Sequence, residues 1–315
     1  MTTDISMVLF RPGREDIVGT FRALGGVRSE FATLRLLVSG NEEQRQTVEN
    51  LVRESDLTDR VHLTHRFDNL GFASGHNLLL RNAFSAGAKS VLVLNPDTTI
   101  KRGAITRLLS YVREDARCAL YGPTLERIDP DSIPRSEKIT DTLGVMWTKT
   151  GRHLDIGQGE AWNITEGRIV ERSGVSGACL LVTPCAYDEI VSRTGWFFDD
   201  LFLAYREDAE LGIRAGLAGI TSRVVAMEGF GHVRSVRGAT RGKEIPDLLG
   251  VRNRFLILFR LRTDRPGNLP LSILRDATVI LAAALVERSS WSGVKSAFAI
   301  RRFATNTRTR LRLQP

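Results

Sequence analysis

Cysteine is scarce in this chain. Its 315 residues hold three, Cys118, Cys179 and Cys185, an odd number at wide spacing with no CxxC pair to hold zinc or run thiol exchange. All three read as reduced, buried small hydrophobes in a reducing cytoplasm. Long apolar runs are missing too. The longest stretch, Ala277 to Val286, falls well short of the roughly 20 residues a membrane-crossing helix needs, so integral insertion is not expected. The opening residues, MTTDISMVLFRPGRED, lack the basic start, apolar run and small-residue cleavage site of a secretory signal, and export is not expected either. There is no internal repeat and no low-complexity tract, and a hydrophobic content of 42% is ordinary for a folded protein.

Positive charge is abundant but local. From Leu256 to Pro315 eleven Lys and Arg face three acids, a surplus that equals the +8 of the whole chain. The first 255 residues are neutral overall, so a nucleic-acid surface spread over the protein is not indicated.

The first hundred residues alternate strand-like and helix-like segments: Ile5 to Phe10, Leu34 to Ser39, Val61 to Thr64 and Ser90 to Leu94 as strands, with a helix near Asn77 to Ala86 among the segments between them. That alternation predicts an α/β fold with a mostly parallel central sheet and helices on both faces. Ligands bind such sheets at the carboxyl ends of the strands, which directs the search to Arg11 to Gly13, Gly40 to Asn41, and Asn95 to Thr98. From Tyr121 to Gly174 the chain turns irregular, with DTLGVMWTKTGRHLDIGQGE at its centre, and reads as loop and short β-ribbon. Ala178 to Thr183 is strand-like, and Arg206 to Leu217 is a short helix. The expected division is a catalytic domain over residues 1–244 and a basic, amphipathic helical extension over 245–315.

The strand Val91-Leu92-Val93-Leu94 ends in Asn95-Pro96-Asp97-Thr98. A carboxylate at a strand tip suits a hard divalent cation held against a diphosphate, although the tetrapeptide could equally be a turn. Upstream stands Asn69-Leu70-Gly71-Phe72-Ala73-Ser74-Gly75-His76-Asn77, where glycines permit close backbone approach at a helix start. Downstream come SGACLLV, YREDAELGIR and GFGHVRS. In the acidic segment, Glu210 and Arg214 are an i,i+4 pair expected to bridge on the surface, while Asp208 shares a stripe with Leu211 and points toward the packed side. Three acids in a helix's first turn also suit the helix dipole without any chemistry.

In this order the pieces resemble the bacterial family-2 glycosyltransferases, particularly their rhamnosyltransferase-like group, over roughly residues 5 to 260. VLFRPG, GRHLDIGQGE and VRNRFL (Val251 to Leu256) are similar to that group as well. The resemblance implies a GT-A fold and an inverting, metal-dependent transferase. Asp97 and His232 would hold Mg²⁺ or Mn²⁺, and Asp208 would be the acceptor's base. Phe10, Arg11, Asn69, Gly71, Asn77, Asn95 and Asp97 would form the donor site. Glu207, Trp147, Arg152 and Arg234 would face the acceptor, since a ring can stack on a sugar and an arginine can pair with a phosphate. Two departures are plain: the family's V-D-N-x-S reads Val38-Ser39-Gly40-Asn41 here, and the second acid of its EDxD is Glu210. The implied donor is a nucleotide sugar, dTDP-L-rhamnose first and a UDP-hexose next. The implied acceptor is a saccharide or polyprenyl-linked saccharide in cell-surface polysaccharide synthesis.

The basic end, RRFATNTRTRLR, beside an apolar helix over Ile273 to Arg288, fits peripheral docking on an anionic membrane, hence a cytoplasmic protein at the inner face of the plasma membrane. Packing against the catalytic domain or a homodimer contact are the alternatives for that helix. A basic nucleic-acid-binding protein would leave NPDT, EDAEL and HVRS unexplained, so no nucleic acid is expected. A non-catalytic GT-A scaffold would not need Asp97, Asp208 and His232.

Overall fold

The computed structural model describes residues 3–128, 137–233, 244–261, 268–286 and 288–308. In chain order the elements are β1 (Thr3–Phe10), α1 (Arg14–Gly26), β2 (Phe31–Ser39), α2 (Glu42–Glu54), β3 (Val61–Arg66), α3 (Gly71–Ser85), β4 (Val91–Leu94), β5 (Thr98–Ile100), α4 (Ala104–Asp115), β6 (Ala119–Pro123), β7 (Leu125–Ile128), β8 (Thr140–Thr142), β9 (Val145–Trp147), β10 (His153–Asp155), β11 (Ile169–Arg172), β12 (Cys179–Val182), α5 (Pro184–Thr194), α6 (Glu207–Leu217), β13 (Thr221–Val225), β14 (Phe230–Val233), α7 (Glu244–Leu261), α8 (Leu269–Leu285), α9 (Arg288–Ala299) and α10 (Arg301–Arg308).

Eight strands form one sheet in the order β11-β13-β6-β12-β4-β1-β2-β3. Its β4-β1-β2-β3 half is parallel throughout. The alternation of side chains along β4 shows why helices must cover both faces: Leu92 and Leu94 join the cluster under α1, α2 and α4 with Phe21, Leu51 and Leu108. Val91 and Val93 turn the other way, into the cluster under α3, α5 and α6 with Leu80, Ile190 and Leu211. A strand buried on both faces must be apolar at every position, which is what the sequence VLVL supplies.

Three features aim the chain at the sheet's carboxyl edge. Strands β1 and β4 run parallel with Ser6 beside Val93, so both point the same way, and Arg11 after β1 and Asn95 after β4 follow carboxyl ends of the same sheet. Strand β12 runs antiparallel to β4, pairing Cys179 with Leu94, and so brings Gly177 and Ala178 to the same edge. A second sheet, β5-β14-β7-β8, caps it and places His232 opposite Thr98.

Helices α7 to α10 build a third cluster around Phe255, Leu256, Phe259 and Ala297, which takes in Phe202 and Ile213 from before α7. Among the described residues no helix is long and apolar enough to cross a membrane.

Two sequence expectations are corrected here. Cys118 and Cys185 form a disulfide and only Cys179 is free and buried, so the three thiols are not all reduced. The start of β6 and the first turn of α5 bring the two Cα atoms to 5.6 Å, inside bridging range, a proximity that a separation of 67 residues gives no hint of. Glu210 and Arg214 do pair at i,i+4, but at 0% and 1% side-chain exposure the pair is interior rather than on the surface.

Candidate active site

Asp97 stands just beyond β4, at the tip the sequence singled out. Its backbone carbonyl accepts from Val233 N at 2.8 Å, which fastens the NPDT turn to β14 and so to His232. The His232 ring lies between two carboxylates: Nδ1 is 2.9 Å from Asp141 Oδ2, and Nε2 is 3.2 Å from Asp97 Oδ1. Asp141 is fully buried. Burial works against the imidazolium, but its hydrogen bonds to Asp141 and Asp97 and their charges prevail and push His232, with no cation bound, up to about 9.

Asp97 Oδ1 and His232 Nε2 are both buried and face only each other. Two such atoms at 3.2 Å fit adjacent positions on an octahedral divalent cation, where ligands about 2.1 Å from the metal sit about 3.0 Å apart. Asp141 on Nδ1 then fixes the ring's tautomer, the usual outer partner of a ligating histidine. Among the described residues no cluster of three or more His, Cys, Asp or Glu could hold a metal.

The acidic helix α6 is tied to the same spot. Asp208 Oδ2 accepts from Gly177 N at 3.0 Å and Oδ1 from Ala209 N at 2.7 Å. The next carbonyl, Ala178 O, accepts from Asn95 N at 3.0 Å and from Thr98 Oγ1 at 3.2 Å. Two consecutive residues, Gly177 and Ala178, therefore link the acid on α6 to the turn after β4. A Cβ at Gly177 would meet Phe72 at 3.3 Å and Asp208 at 3.4 Å, so this contact leaves no slack.

The turn before α6 is strained: Tyr205 and Arg206 have φ of 69° and 71°, a left-handed conformation that costs side-chain-bearing residues and collects at functional sites. Helix α7 holds it. Asn253, fully buried, donates from Nδ2 to Ala204 O and Tyr205 O at 2.7 Å each, and Arg206 Nε donates to Gly250 O at 2.7 Å. This is what the VRNRFL segment does. From the other side, Gly71 (φ +69°) brings Phe72 N to Leu203 O at 2.7 Å, in space a Cβ could not share with Leu203.

Burial and, next, the Asp208 charge push Glu207 from its ordinary 4.5 up to about 8, so it is a protonated donor at neutral pH. Burial also raises Asp208, against hydrogen bonds from Gly177 and Ala209. Burial, followed by the charges of Glu207 and Asp97, raises the Tyr205 phenol, whose ring is half exposed. A stability consequence follows. Between pH 4.5 and 8 the folded chain keeps a proton on Glu207 that the unfolded chain releases, so stability falls as pH rises through that window. Relative to Glu207→Gln, urea unfolding of the parent protein should give a difference that is flat below about pH 4.5, shrinks to about pH 8 and is flat again above.

Of the donor-site residues named from sequence, Phe10 and Arg11 stand at the end of β1, and Asn95 and Asp97 follow β4. Phe10 is half exposed, with the Arg11 guanidinium 5.3 Å from its ring centroid, and Arg11 turns the chain with φ 43°. Asn69 instead accepts from Gly71 N at 2.8 Å. Asn77 spans the Phe198 backbone, donating to its carbonyl at 2.7 Å and accepting from its amide at 2.9 Å; both order the loop that leads to α6. Trp147 lines a hollow of about 370 Å³ with Arg172, Gly212 and Ile213, and its indole N–H has no partner. Arg152 is exposed at the start of β10. Arg234 lies outside the described residues. Asp141, Gly177, Tyr205 and Asn253 were not identified from sequence as site residues. Asp141 was legible only as the acid of DTLG.

No protein-family profile matches the chain. Over 137 residues it is 28% identical to an N-acetylglucosaminyl-diphospho-decaprenol L-rhamnosyltransferase of Mycobacterium tuberculosis, a match covering 41% of this chain and 42% of that protein. Among solved structures, GalNAc-T7 with UDP, GalNAc and Mn²⁺ superposes with a TM-score of 0.66 at 12% identity, covering 100% of this chain and 59% of that one. TarS residues 1–349 of S. aureus with UDP gives 0.54 at 12%, over 99% and 90%. The mannosyltransferase PcManGT of Pyrobaculum calidifontis with GDP-Man and Mn²⁺ gives 0.52 at 12%, over 99% and 85%. The chain therefore has the GT-A fold of the nucleotide-sugar glycosyltransferases and is a distant sequence relative of a mycobacterial rhamnosyltransferase.

Proposed function

We propose that this chain is an inverting, metal-dependent glycosyltransferase that transfers a sugar, L-rhamnose from dTDP-L-rhamnose as the first assignment, to a lipid-linked saccharide such as an N-acetylglucosaminyl diphospholipid in cell-surface polysaccharide synthesis. The observation that carries the reading is the buried Asp97–His232 pair at the tip of β4, 3.2 Å apart, joined through Gly177 and Ala178 to a carboxylate on α6.

Asp97 and His232 would hold the cation, with Asp141 fixing the imidazole. A bound Mg²⁺ or Mn²⁺ supplies neutralisation of the charge that develops on the departing nucleoside diphosphate. Phe10 offers its exposed ring to the nucleobase, and Arg11 lies beside it. Asp208 takes the proton of the attacking acceptor hydroxyl; its burial raises its affinity for that proton while two backbone amides keep it ionised beforehand. Protonated Glu207 donates a hydrogen bond to an acceptor oxygen. One base and one displacement invert the anomeric centre. Trp147 and Arg152 lie toward the acceptor side, and the work is done on the cytoplasmic face of the membrane that carries the acceptor.

The test is stabilisation by ligand. Thermal shifts across nucleotide sugars, with Mn²⁺ and with EDTA, should show one donor raising the unfolding temperature only with metal, and mass spectrometry should find that sugar on the N-acetylglucosaminyl diphospholipid. Asp97→Ala should abolish the metal-dependent shift, and Asp141→Asn should raise the Mn²⁺ needed by about 10 to 100-fold. A metal titration unchanged in His232→Ala would remove His232 from the ligand set. No shift with any donor in a folded protein would leave the scaffold reading.

A further inference from the structure

Four arginines from four separate elements meet beside the proposed base. Arg206 caps α6 and donates from Nη1 to His153 Nδ1 at 3.0 Å; Arg152 precedes that histidine. Arg254 on α7 donates from Nε to Asp276 Oδ1 at 2.9 Å, and Arg275 is Asp276's neighbour on α8. The same ribbon is pinned to the head of α8 by Asn268 N donating to Lys149 O at 2.7 Å. The Arg275 Nη1 is buried with no hydrogen-bond partner.

The charges repel one another. Burial first, then Arg254, Arg275 and Arg152, lower Arg206 to about 10; burial, Arg254 and Arg152 lower Arg275 to about 10. Burial and the same arginines hold His153 near 3, neutral. Asp276, committed to Arg254, and Asp208, at the far end of Arg206, offset only part of this. Close packing of four guanidinium groups is costly unless an anion completes it, and planar guanidinium forks match phosphate oxygens.

What lies outward of Arg275 narrows the anion. Helix α8 is turned inside out: it buries Ser272, Asp276 and Ala283 and exposes Ile273, Leu274, Leu281 and Leu285 at 57 to 74%. A water-facing helix has the opposite pattern. Helices α9 and α10 likewise leave Trp291, Phe298 and Phe303 partly exposed, apolar surface that suits a hydrocarbon chain.

We propose that Arg152, Arg206, Arg254 and Arg275 bind the diphosphate of a lipid-linked acceptor, with the outer face of α8 against its hydrocarbon chain. Because Arg206 adjoins Glu207 and Asp208, an acceptor held there by its diphosphate presents its sugar to the base. This rests on the transferase reading for its biological sense, and it assigns the acceptor's diphosphate a site distinct from the donor's at Asp97 and His232.

The test uses neither nucleotide sugar, metal nor turnover, so it stands or falls separately from that reading. Calorimetric titration of the full chain with inorganic pyrophosphate in EDTA should show binding that Arg275→Gln and the exposed-site variant Arg152→Gln each weaken by about tenfold. Sedimentation with phosphatidylcholine vesicles carrying undecaprenyl diphosphate should pull down the parent protein and lose Arg275→Gln. Unchanged pyrophosphate affinity in both folded variants overturns the proposal. Equal sedimentation with phosphatidylserine vesicles also overturns it, by reducing the cluster to a general anionic-lipid contact.

Discussion

Asp208→Asn should lower turnover about a thousandfold with donor affinity unchanged, within the 10² to 10⁴ that a positioned general base contributes. The side chain is held by Gly177 N and Ala209 N, so an amide of the same shape keeps one of these acceptor bonds and loses the other. The structural cost is then that of one buried donor, about 1 to 3 kcal/mol, which a denaturation curve would report separately from the kinetics. What the amide cannot do is take a proton at neutral pH. Initial rates at saturating donor and acceptor, beside calorimetry of the donor, separate the two effects. A rate within about tenfold of the parent would show that Asp208 is not the base. If Glu207→Gln were then the inactive variant, the roles of the neighbouring acids would be exchanged.

The sheet was readable because its signals are local. β1, β2 and β4 are apolar stretches bounded by turns, and the helix from Arg206 was found nearly to its ends. The start of α3 was not: the sequence reading began it near Asn77, whereas it begins at Gly71, because the left-handed Gly71 packs on Leu203, a contact 132 residues away that no period reveals. The departure at Val38 to Asn41 has a physical account. Asn41 forms a capping box with Gln44, each side chain bonding the other's backbone amide, so that residue is committed to starting α2. Asp97, Asp208 and His232 were found as motif residues. Asp141 was missed because its role comes from β8 reaching His232 across β7, a pairing made only by the second sheet. The Arg152, Arg206, Arg254 and Arg275 cluster escaped for the same reason: its members share no spacing and meet only when α7 and α8 dock.

Glu210→Ala should cost about 3 to 5 kcal/mol in urea unfolding, the loss seen when one member of a buried ion pair is removed. Arg214 donates from Nε and Nη2 to both carboxylate oxygens of Glu210 at 2.8 Å, from Nη1 to Thr194 Oγ1 at 3.0 Å and Trp196 O at 2.9 Å, and from Nη2 to Phe197 O at 2.6 Å. All five guanidinium N–H groups are therefore used in the interior, and without Glu210 the buried cation loses the carboxylate that pairs with it. A surface pair, as the i,i+4 spacing alone suggested, would be worth at most about 1 kcal/mol, so the two environments give results that do not overlap. Arg214→Met should be as damaging by another route, since it takes the donor from the buried Phe197 carbonyl, leaves Trp196 O with Thr194 Oγ1 alone, and leaves a buried carboxylate. The double variant, Glu210→Leu with Arg214→Met, should cost less than the sum of the singles, because it removes both charges and leaves only the Phe197 carbonyl without its donor. The carbonyls it anchors begin the stretch that runs to Tyr205 and Arg206, and Asp208 opens the same helix. Loss of the pair should therefore slow transfer even in the fraction that remains folded, which single-turnover rates corrected for folded protein would show.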